Sequence, residues 1–106
     1  MKNDTSKQVT IIFKQNKFLL SGELDFFNIT FIYEKSLSEL KQSFPLVVFD
    51  FSGVHANNSA GLALMVEWLK YAKKHKKNIS FVNLPENLLT IAKASRISQI
   101  FNQAIS

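Results

Sequence analysis

Apolar residues alternate with polar ones at the start of the chain and later recur at a helical period. Two alternating runs separated by a short polar pair predict a β-hairpin that opens the fold. Further along, three stretches with apolar residues every three to four positions predict helices, and two apolar runs of strand length lie between them. The predicted elements are, in chain order, strands 9–13 and 17–20, a helix 28–43, a strand 46–51, a helix 58–76, a strand 78–82, a helix from 85 and a short segment 97–101.

The order of these elements predicts the fold class. A strand–helix–strand unit places its two strands parallel through a right-handed crossover, whereas the opening hairpin is antiparallel. We therefore expect an α/β fold with a mixed, mostly parallel sheet and helices packed against it. The 106 residues fit a single domain, 1–106, with an ordered core over about 8–102. The run Leu46–Phe51 is apolar almost throughout, which predicts a central strand covered on both faces.

Composition narrows the functional classes. The chain has no cysteine, which excludes a disulfide framework, a thiolate metal site and a cysteine nucleophile. The polar start Met1–Ser6 lacks the apolar core of a secretory signal, and no apolar run approaches the ~20 residues that span a bilayer. We therefore expect a cytoplasmic protein.

The net charge is +5, and lysines cluster at the end of the second predicted helix. Cations at this position oppose the helix dipole, so a solvated helix end is the simplest interpretation. An anionic membrane surface or a nucleic acid is the alternative partner. No base-stacking aromatic residues interleave with the lysines, so nucleic acid is not expected. The cluster consists of Lys70, Lys73, Lys74, Lys76 and Lys77.

The most localised chemical feature is the polar turn between the central strand and the second helix. Asn57, Asn58 and Ser59 stand where this helix begins, and the first backbone N–H groups of a helix lack internal partners. The Ser59 hydroxyl therefore has two interpretations. It caps the helix, or it is a surface group that a partner or a phosphate reaches.

The second helix carries more apolar surface than a helix on a globular protein needs. Leu64, Trp68 and Tyr71 widen its apolar stripe to one side. Either a neighbouring helix covers this flank, or the three side chains form a partner surface beside Ser59, with the composition of an interface hot spot. The stripe expected to pack on the sheet is Leu62, Met65, Leu69 and Ala72.

Candidate catalytic residues do not form a recognisable constellation. His55 lies close in sequence to Ser59, but no nucleophile elbow or oxyanion hole accompanies the pair. Glu23 and Asp25 are paired acids of a kind that turns commonly carry. His55 and His75 lack the spacing of metal ligands. We expect no catalytic residue, no metal, no cofactor and no enzymatic activity.

Several motifs resemble one known family. Leu46–Val54 followed by Asn58–Met65 resembles the hallmark of STAS domains, the anti-sigma-factor antagonists and their relatives, over most of the chain. Ser21-Gly22-Glu23-Leu24-Asp25 is similar to a motif of MlaB-type STAS subunits, which belong to Mla phospholipid ABC transporters. Ala60–Leu64 and Leu89–Lys93 resemble two further motifs of the same subunits.

The resemblance implies a non-catalytic cytoplasmic subunit that binds and supports the ABC ATPase of a phospholipid transporter maintaining outer-membrane lipid asymmetry. Such a subunit lies at the inner membrane through its partner, in a complex with a permease, without direct membrane insertion. Ser59 falls on the family's phosphorylatable Ser/Thr. Asn58 stands where the family usually has Asp, so the carboxylate beside the hydroxyl is missing. We therefore expect Ser59 to act as a contact residue first and as a phosphorylation switch second. The alternative is an anti-sigma-factor antagonist regulated by phosphorylation of Ser59. The implied partner-binding residues are Asn58, Ser59, Ala60, Gly61, Leu64, Trp68 and Tyr71.

Overall fold

A computed structural model of the protein describes residues 9–55 and 59–95. The order of strands and helices agrees with the sequence pattern, and the fourth strand has the predicted bounds. The predicted segment 97–101 lies outside the described residues. The elements are β1 Thr10–Lys14, β2 Lys17–Glu23, α1 Ile29–Gln42, β3 Leu46–His55, α2 Ala60–His75, β4 Asn78–Val82 and α3 Glu86–Ala94.

The four strands form one mixed sheet in the order β1-β2-β3-β4. β1 pairs antiparallel with β2, and β2–β3 and β3–β4 are parallel pairs, so the predicted α/β class is confirmed. The hairpin turn Gln15-Asn16 has positive φ at both residues, 54° and 63°. Such a turn matches the twist of the two strands, which is why a two-residue polar pair suffices here.

The two middle strands are longer than the sequence pattern predicts. β2 runs through Gly22 to Glu23, and β3 runs through Gly53 to His55. Glycine weakens an isolated strand, but these segments pair with each other in the sheet, with Gly22 opposite Val54. A Cβ at Gly53 would lie 2.8 Å from the Ser21 Cβ, so only glycine permits this close approach.

Aromatic rings fill the core between the sheet and α2. The Phe49 ring stacks on Phe18 at a centroid distance of 4.6 Å and contacts Trp68 at 3.9 Å. Phe51 and Phe81 close the cluster with an edge-to-face contact at 5.9 Å. All five rings are fully buried, and aromatic pairs of this kind stabilise a core beyond the area that they bury.

Burial alternates along the strands because the described helices cover one face of the sheet. Both crossovers step in the same direction across the sheet and, being right-handed, place α1 and α2 on the same side. On the other face Ile12 lies opposite Leu19, and both are exposed. The run Leu46–Phe51 lies in an interior strand, as predicted. On the face away from the helices its Val48 is half-buried and its Asp50 is buried, although no helix of the described residues covers that face.

Candidate functional site at the start of α2

The segment Ser21–Asp25 links the end of β2 to the start of α1. Gly22 has a φ of 106°, a conformation that favours glycine. The Asp25 carboxylate accepts hydrogen bonds from the backbone N–H groups of Phe27 at 2.8 Å and Asn28 at 3.0 Å. Asn28 occupies the N-cap position, yet its side chain makes no capping bond to the helix. Asp25 therefore holds the turn that leads into α1, and its carbonyl also accepts the N–H of Ile29, the first residue of the helix, at 3.2 Å.

Four segments meet at one end of the sheet. The backbone N–H of Leu24 donates to the His55 carbonyl at 2.9 Å, which ties the loop after β2 to the end of β3. A Cβ at Gly61 would lie 2.9 Å from a Leu88 methyl group and 3.6 Å from a Leu24 methyl group, so α2 begins in close contact with α3 and with the same loop. We name this end the Ser59 edge: the loop 24–28, His55, Ser59 and the first turn of α2.

Ser59 occupies the N-cap position of α2 and is exposed, as the sequence predicts. Its side chain makes no capping hydrogen bond, and its carbonyl accepts the N–H of Ala63 at 3.1 Å. The interpretation of Ser59 as a side-chain cap is therefore wrong. The hydroxyl stands at a helix N-terminus, where the positive end of the dipole favours an incoming anion or acceptor.

The residues beside Ser59 have different environments. Ala60 and Gly61 are buried, because the start of α2 is enclosed by Leu24 and Leu88. Asn58 lies outside the described residues. Among the predicted partner-binding residues that the structure describes, Ser59 is the exposed one. The buried Ala60 and Gly61 that follow it anchor the start of α2 in the core.

The expectation that Leu64, Trp68 and Tyr71 form an accessible partner surface is wrong. Their side chains are 1%, 0% and 8% exposed, respectively. The indole N–H of Trp68 donates to the hydroxyl of Ser36 on α1 at 2.9 Å. The neighbouring helix α1 therefore covers this flank, which confirms the alternative explanation of the wide apolar stripe.

The packing face of α2 is consequently rotated toward α1 relative to the prediction. Leu62 and Leu69, expected to pack on the sheet, are only half-buried, whereas Met65 and Ala72 are buried as expected. A substitution of Trp68 reports on core packing rather than on partner contact.

A groove of about 250 Å³ lies between the first turns of α1 and α2. Tyr33 lies in it beside Glu67. Burial raises the pKa of the Tyr33 hydroxyl above its usual value, and the negative charge of Glu67 adds to the effect, so this phenol stays a neutral donor. The groove is lined by Ile29, Thr30, Tyr33, Ala63, Leu64 and Glu67.

Sequence reasoning missed three exposed phenylalanines in the loop before α1 and in its first turn. Phe27 is 97% exposed, and Phe26 and Phe31 are more than half exposed. The Nζ of Lys35 lies 5.6 Å from the Phe31 ring centroid. The available signal was the Phe-Phe pair between Asp25 and the helix start, a turn position where polar residues are the norm. Exposed aromatic side chains of this kind mark an interaction surface.

Comparison with known proteins assigns this chain to a protein family. A family model described as "Mlab, STAS domain" matches residues 9–102. The chain therefore belongs to the STAS-domain family, in its MlaB branch. A search of the curated proteins found no significant match.

Solved structures agree with this assignment. A chain of the Acinetobacter MlaFEDB complex in its ATP-bound Vtrans2 conformation is 30% identical, with a TM-score of 0.69 over 86% of this chain and 95% of that one. The anti-sigma factor antagonist SpoIIAA in its unphosphorylated form is 13% identical, with a TM-score of 0.68 over 93% of this chain and 86% of that one. An anti-sigma-factor antagonist (STAS) domain protein from Planctomyces limnophilus is 15% identical, with a TM-score of 0.65 over 88% and 85%, respectively. The last two show the fold alone.

Proposed function

We propose that this protein is a non-catalytic STAS subunit that binds the ABC ATPase of a phospholipid transporter and supports its assembly or activity. In this role it lies on the cytoplasmic side of the inner membrane, beside the transporter's permease. The transporter then maintains the lipid asymmetry of the outer membrane. Among the described residues, no helix is both long and apolar enough to cross a bilayer.

The observation that carries the proposal is the Ser59 edge itself. An exposed serine, Phe26 and Phe27, and the groove between α1 and α2 lie together at one end of the sheet. Exposed aromatic rings beside a concavity with polar groups form the usual composition of a protein–protein contact. The 30% identity to a chain of the MlaFEDB complex supports an ABC-transporter partner over other classes of partner.

The buried core beneath this edge supports a docking role in a second way. Gly61 and Ala60 hold the start of α2 close to α3, so Ser59 is presented by a packed helix rather than by a mobile loop. A preformed contact surface loses less conformational entropy on binding. Of the residues proposed as partner contacts, we retain Asn58 and Ser59 and add Phe26 and Phe27.

A second function is favoured by one specific observation. The Ser59 hydroxyl is exposed and does not cap α2, so a kinase has access to it. An anti-sigma-factor antagonist controlled by phosphorylation of Ser59 would use the same group. Incubation with the serine kinase encoded nearest in the genome, followed by intact-mass analysis, tests it. One added phosphate on the wild type and none on Ser59→Ala would favour this second function.

The leading proposal is tested by co-expression of the tagged protein with the ABC ATPase encoded in the same genome. We expect the two to co-purify and elute as one complex in size-exclusion chromatography. Ser59→Glu should weaken the complex. Ser38 is exposed on α1 away from this edge, so Ser38→Glu is the matched control and should keep the complex. Failure to co-purify, together with unchanged detergent sensitivity in a deletion strain, would refute the proposal.

A further inference from the structure

Charged side chains are segregated between the two ends of the sheet. At the carboxyl ends of the parallel strands, where the Ser59 edge lies, the described residues carry the acids Glu23, Asp25 and Glu86 and no lysine. Seven of the ten described lysines gather at the opposite end, where Glu39 and Asp50 are the acids. These lysines are Lys14 and Lys17 in the hairpin, Lys41 at the end of α1, and Lys73, Lys74, Lys76 and Lys77 at the end of α2.

Hydrogen bonds hold the three segments of this lysine-rich end together. The Asn16 side chain donates to the Leu46 carbonyl, and the Phe44 N–H donates to Asn16 Oδ1 at 3.0 Å. Lys77 Nζ donates to both the carbonyl and the hydroxyl of Ser43, each at 3.0 Å. The hairpin residues 14–17, the segment 41–46 and the residues 73–77 therefore form one surface, which we name the basic pole.

Most of the positive charge on the basic pole is unneutralised. Lys17 Nζ lies 3.8 Å from Asp50 Oδ2, and this is the ion pair that the described residues show at this end. Lys73, Lys74 and Lys76 are exposed, as are Lys14 and Lys41. A cluster of this size produces a positive potential that attracts anionic surfaces.

Two large apolar side chains stand exposed among these lysines. Phe44 is 73% exposed and Leu46 is 60% exposed, on either side of the exposed Pro45. They belong to the loop that Asn16 and Lys77 fix in place, so folding positions them outward. Apolar side chains projecting from a ring of cations are typical of proteins that bind the interface of an anionic bilayer.

We propose that the basic pole binds the surface of an anionic phospholipid bilayer, with Phe44 and Leu46 entering the headgroup region and the lysines contacting lipid phosphates. The contact is peripheral and needs no spanning helix. It changes the expectation that the protein reaches the membrane through its partner alone. Because the pole lies at the end of the sheet opposite Ser59, the protein contacts a bilayer with one end while the Ser59 edge stays open to a protein partner.

An acidic polypeptide would also neutralise the lysines, but it would not explain the exposed Phe44 and Leu46. A nucleic acid would need rings on which bases stack, and these two side chains provide a single aromatic ring. The combination of charge and apolar exposure therefore favours the bilayer.

The test is co-sedimentation of the purified protein with vesicles of phosphatidylcholine alone and of phosphatidylcholine with phosphatidylglycerol. We expect binding to the mixed vesicles, lost at high salt, and little binding to the neutral ones. Reversing Lys73, Lys74 and Lys76 to Glu should weaken binding at least about tenfold. Phe44→Ser should weaken it by a smaller factor, and Phe27→Ser, at the other end, should leave it unchanged.

Several outcomes would overturn the proposal. These are no binding to phosphatidylglycerol vesicles at low salt, equal binding to neutral vesicles, or equal loss in the Phe27→Ser control. Binding to poly-glutamate that is indifferent to Phe44→Ser, without vesicle binding, would assign the pole to an acidic polypeptide instead. Thermal melts of each variant establish that it is folded. Co-purification with the ATPase is measured separately, so failure of vesicle binding leaves the proposed function standing.

Discussion

Trp68 on α2 and Ser36 on α1 are joined by a buried hydrogen bond, in which the indole N–H donates to the serine hydroxyl at 2.9 Å. The same hydroxyl donates onward to the Tyr33 carbonyl at 2.6 Å. A polar residue on the buried side of α1 thus satisfies the one polar atom of the largest core side chain. The pair fixes how α1 and α2 pack, and with it the groove beside the Ser59 edge.

Replacing Ser36 with alanine leaves the Trp68 N–H buried without a partner. We expect the free energy of unfolding to fall by about 1–3 kcal/mol, the usual cost of a buried unsatisfied donor. Urea denaturation followed by Trp68 fluorescence measures it. The exposed Ser38 provides the control, and Ser38→Ala should change stability by less than about 0.5 kcal/mol. Equal stabilities of the two variants would show that the hydrogen bond does not hold the helices together.

The Ser36–Trp68 pair also shows where sequence reasoning stops. Periodicity predicts the element order and the position of Ser59, because burial on one face imposes a period of two in strands and 3.6 in helices. Periodicity does not say what covers the flank of a wide apolar stripe. Leu64, Trp68 and Tyr71 have the composition of an interface, and only the tertiary arrangement reveals that α1 already covers them.

The capping of α1 was hard to predict for a related reason. Asn28 and Asp25 are both good caps, and the choice depends on the path of the loop after β2. In the structure the Asn28 amide donates to the Glu23 carbonyl at 2.9 Å, so this side chain binds the loop and not the helix. The Asp25 carboxylate binds the N–H groups of Phe27 and Asn28, just before α1. That loop also turns Phe27 outward, an exposure that no pattern along the chain specifies.

Asp50, on the sheet face opposite the helices, makes stability depend on pH. Burial acts to raise its pKa, but hydrogen bonds from the Asn83 side chain at 3.1 Å and the Ser52 N–H at 2.9 Å, with the charge of Lys17, outweigh burial. The net effect holds the pKa of Asp50 below its ordinary value of 3.8. The stabilisation is therefore fully present above the unfolded-state pKa, and it is lost as the pH falls through the folded-state value.

We accordingly expect Asp50→Asn to lower the urea midpoint at neutral pH and to lower it much less at an acidic pH below the folded-state pKa of Asp50, where the wild-type carboxyl is protonated as well. Urea titrations at both pH values measure the difference. Glu39→Gln, on an exposed face of α1, should change little at either pH. An identical loss at both pH values for Asp50→Asn would mean that charge on this residue does not stabilise the fold.

Phe27 tests whether the exposed rings belong to the partner contact. Because its side chain is almost fully exposed, Phe27→Ser should leave the thermal midpoint within a few degrees of wild type. We expect it to weaken ATPase binding about tenfold or more, as truncation of an aromatic anchor does. Phe44→Ser removes an equally large exposed ring at the opposite end of the sheet and should leave ATPase binding intact. Similar effects of both variants on ATPase binding would indicate non-specific hydrophobic association instead of a defined contact.

The most direct test of the account is the dissociation constant between the purified ATPase and the Ser59→Glu variant, measured by isothermal titration. A carboxylate at the start of α2 is favoured by the helix dipole, so the variant should fold normally. Placed in the contact, its charge should weaken binding at least about tenfold, whereas Ser59→Ala stays near the wild-type value. A Ser59→Glu protein that binds the ATPase as tightly as wild type would contradict the assignment of this edge as the docking surface.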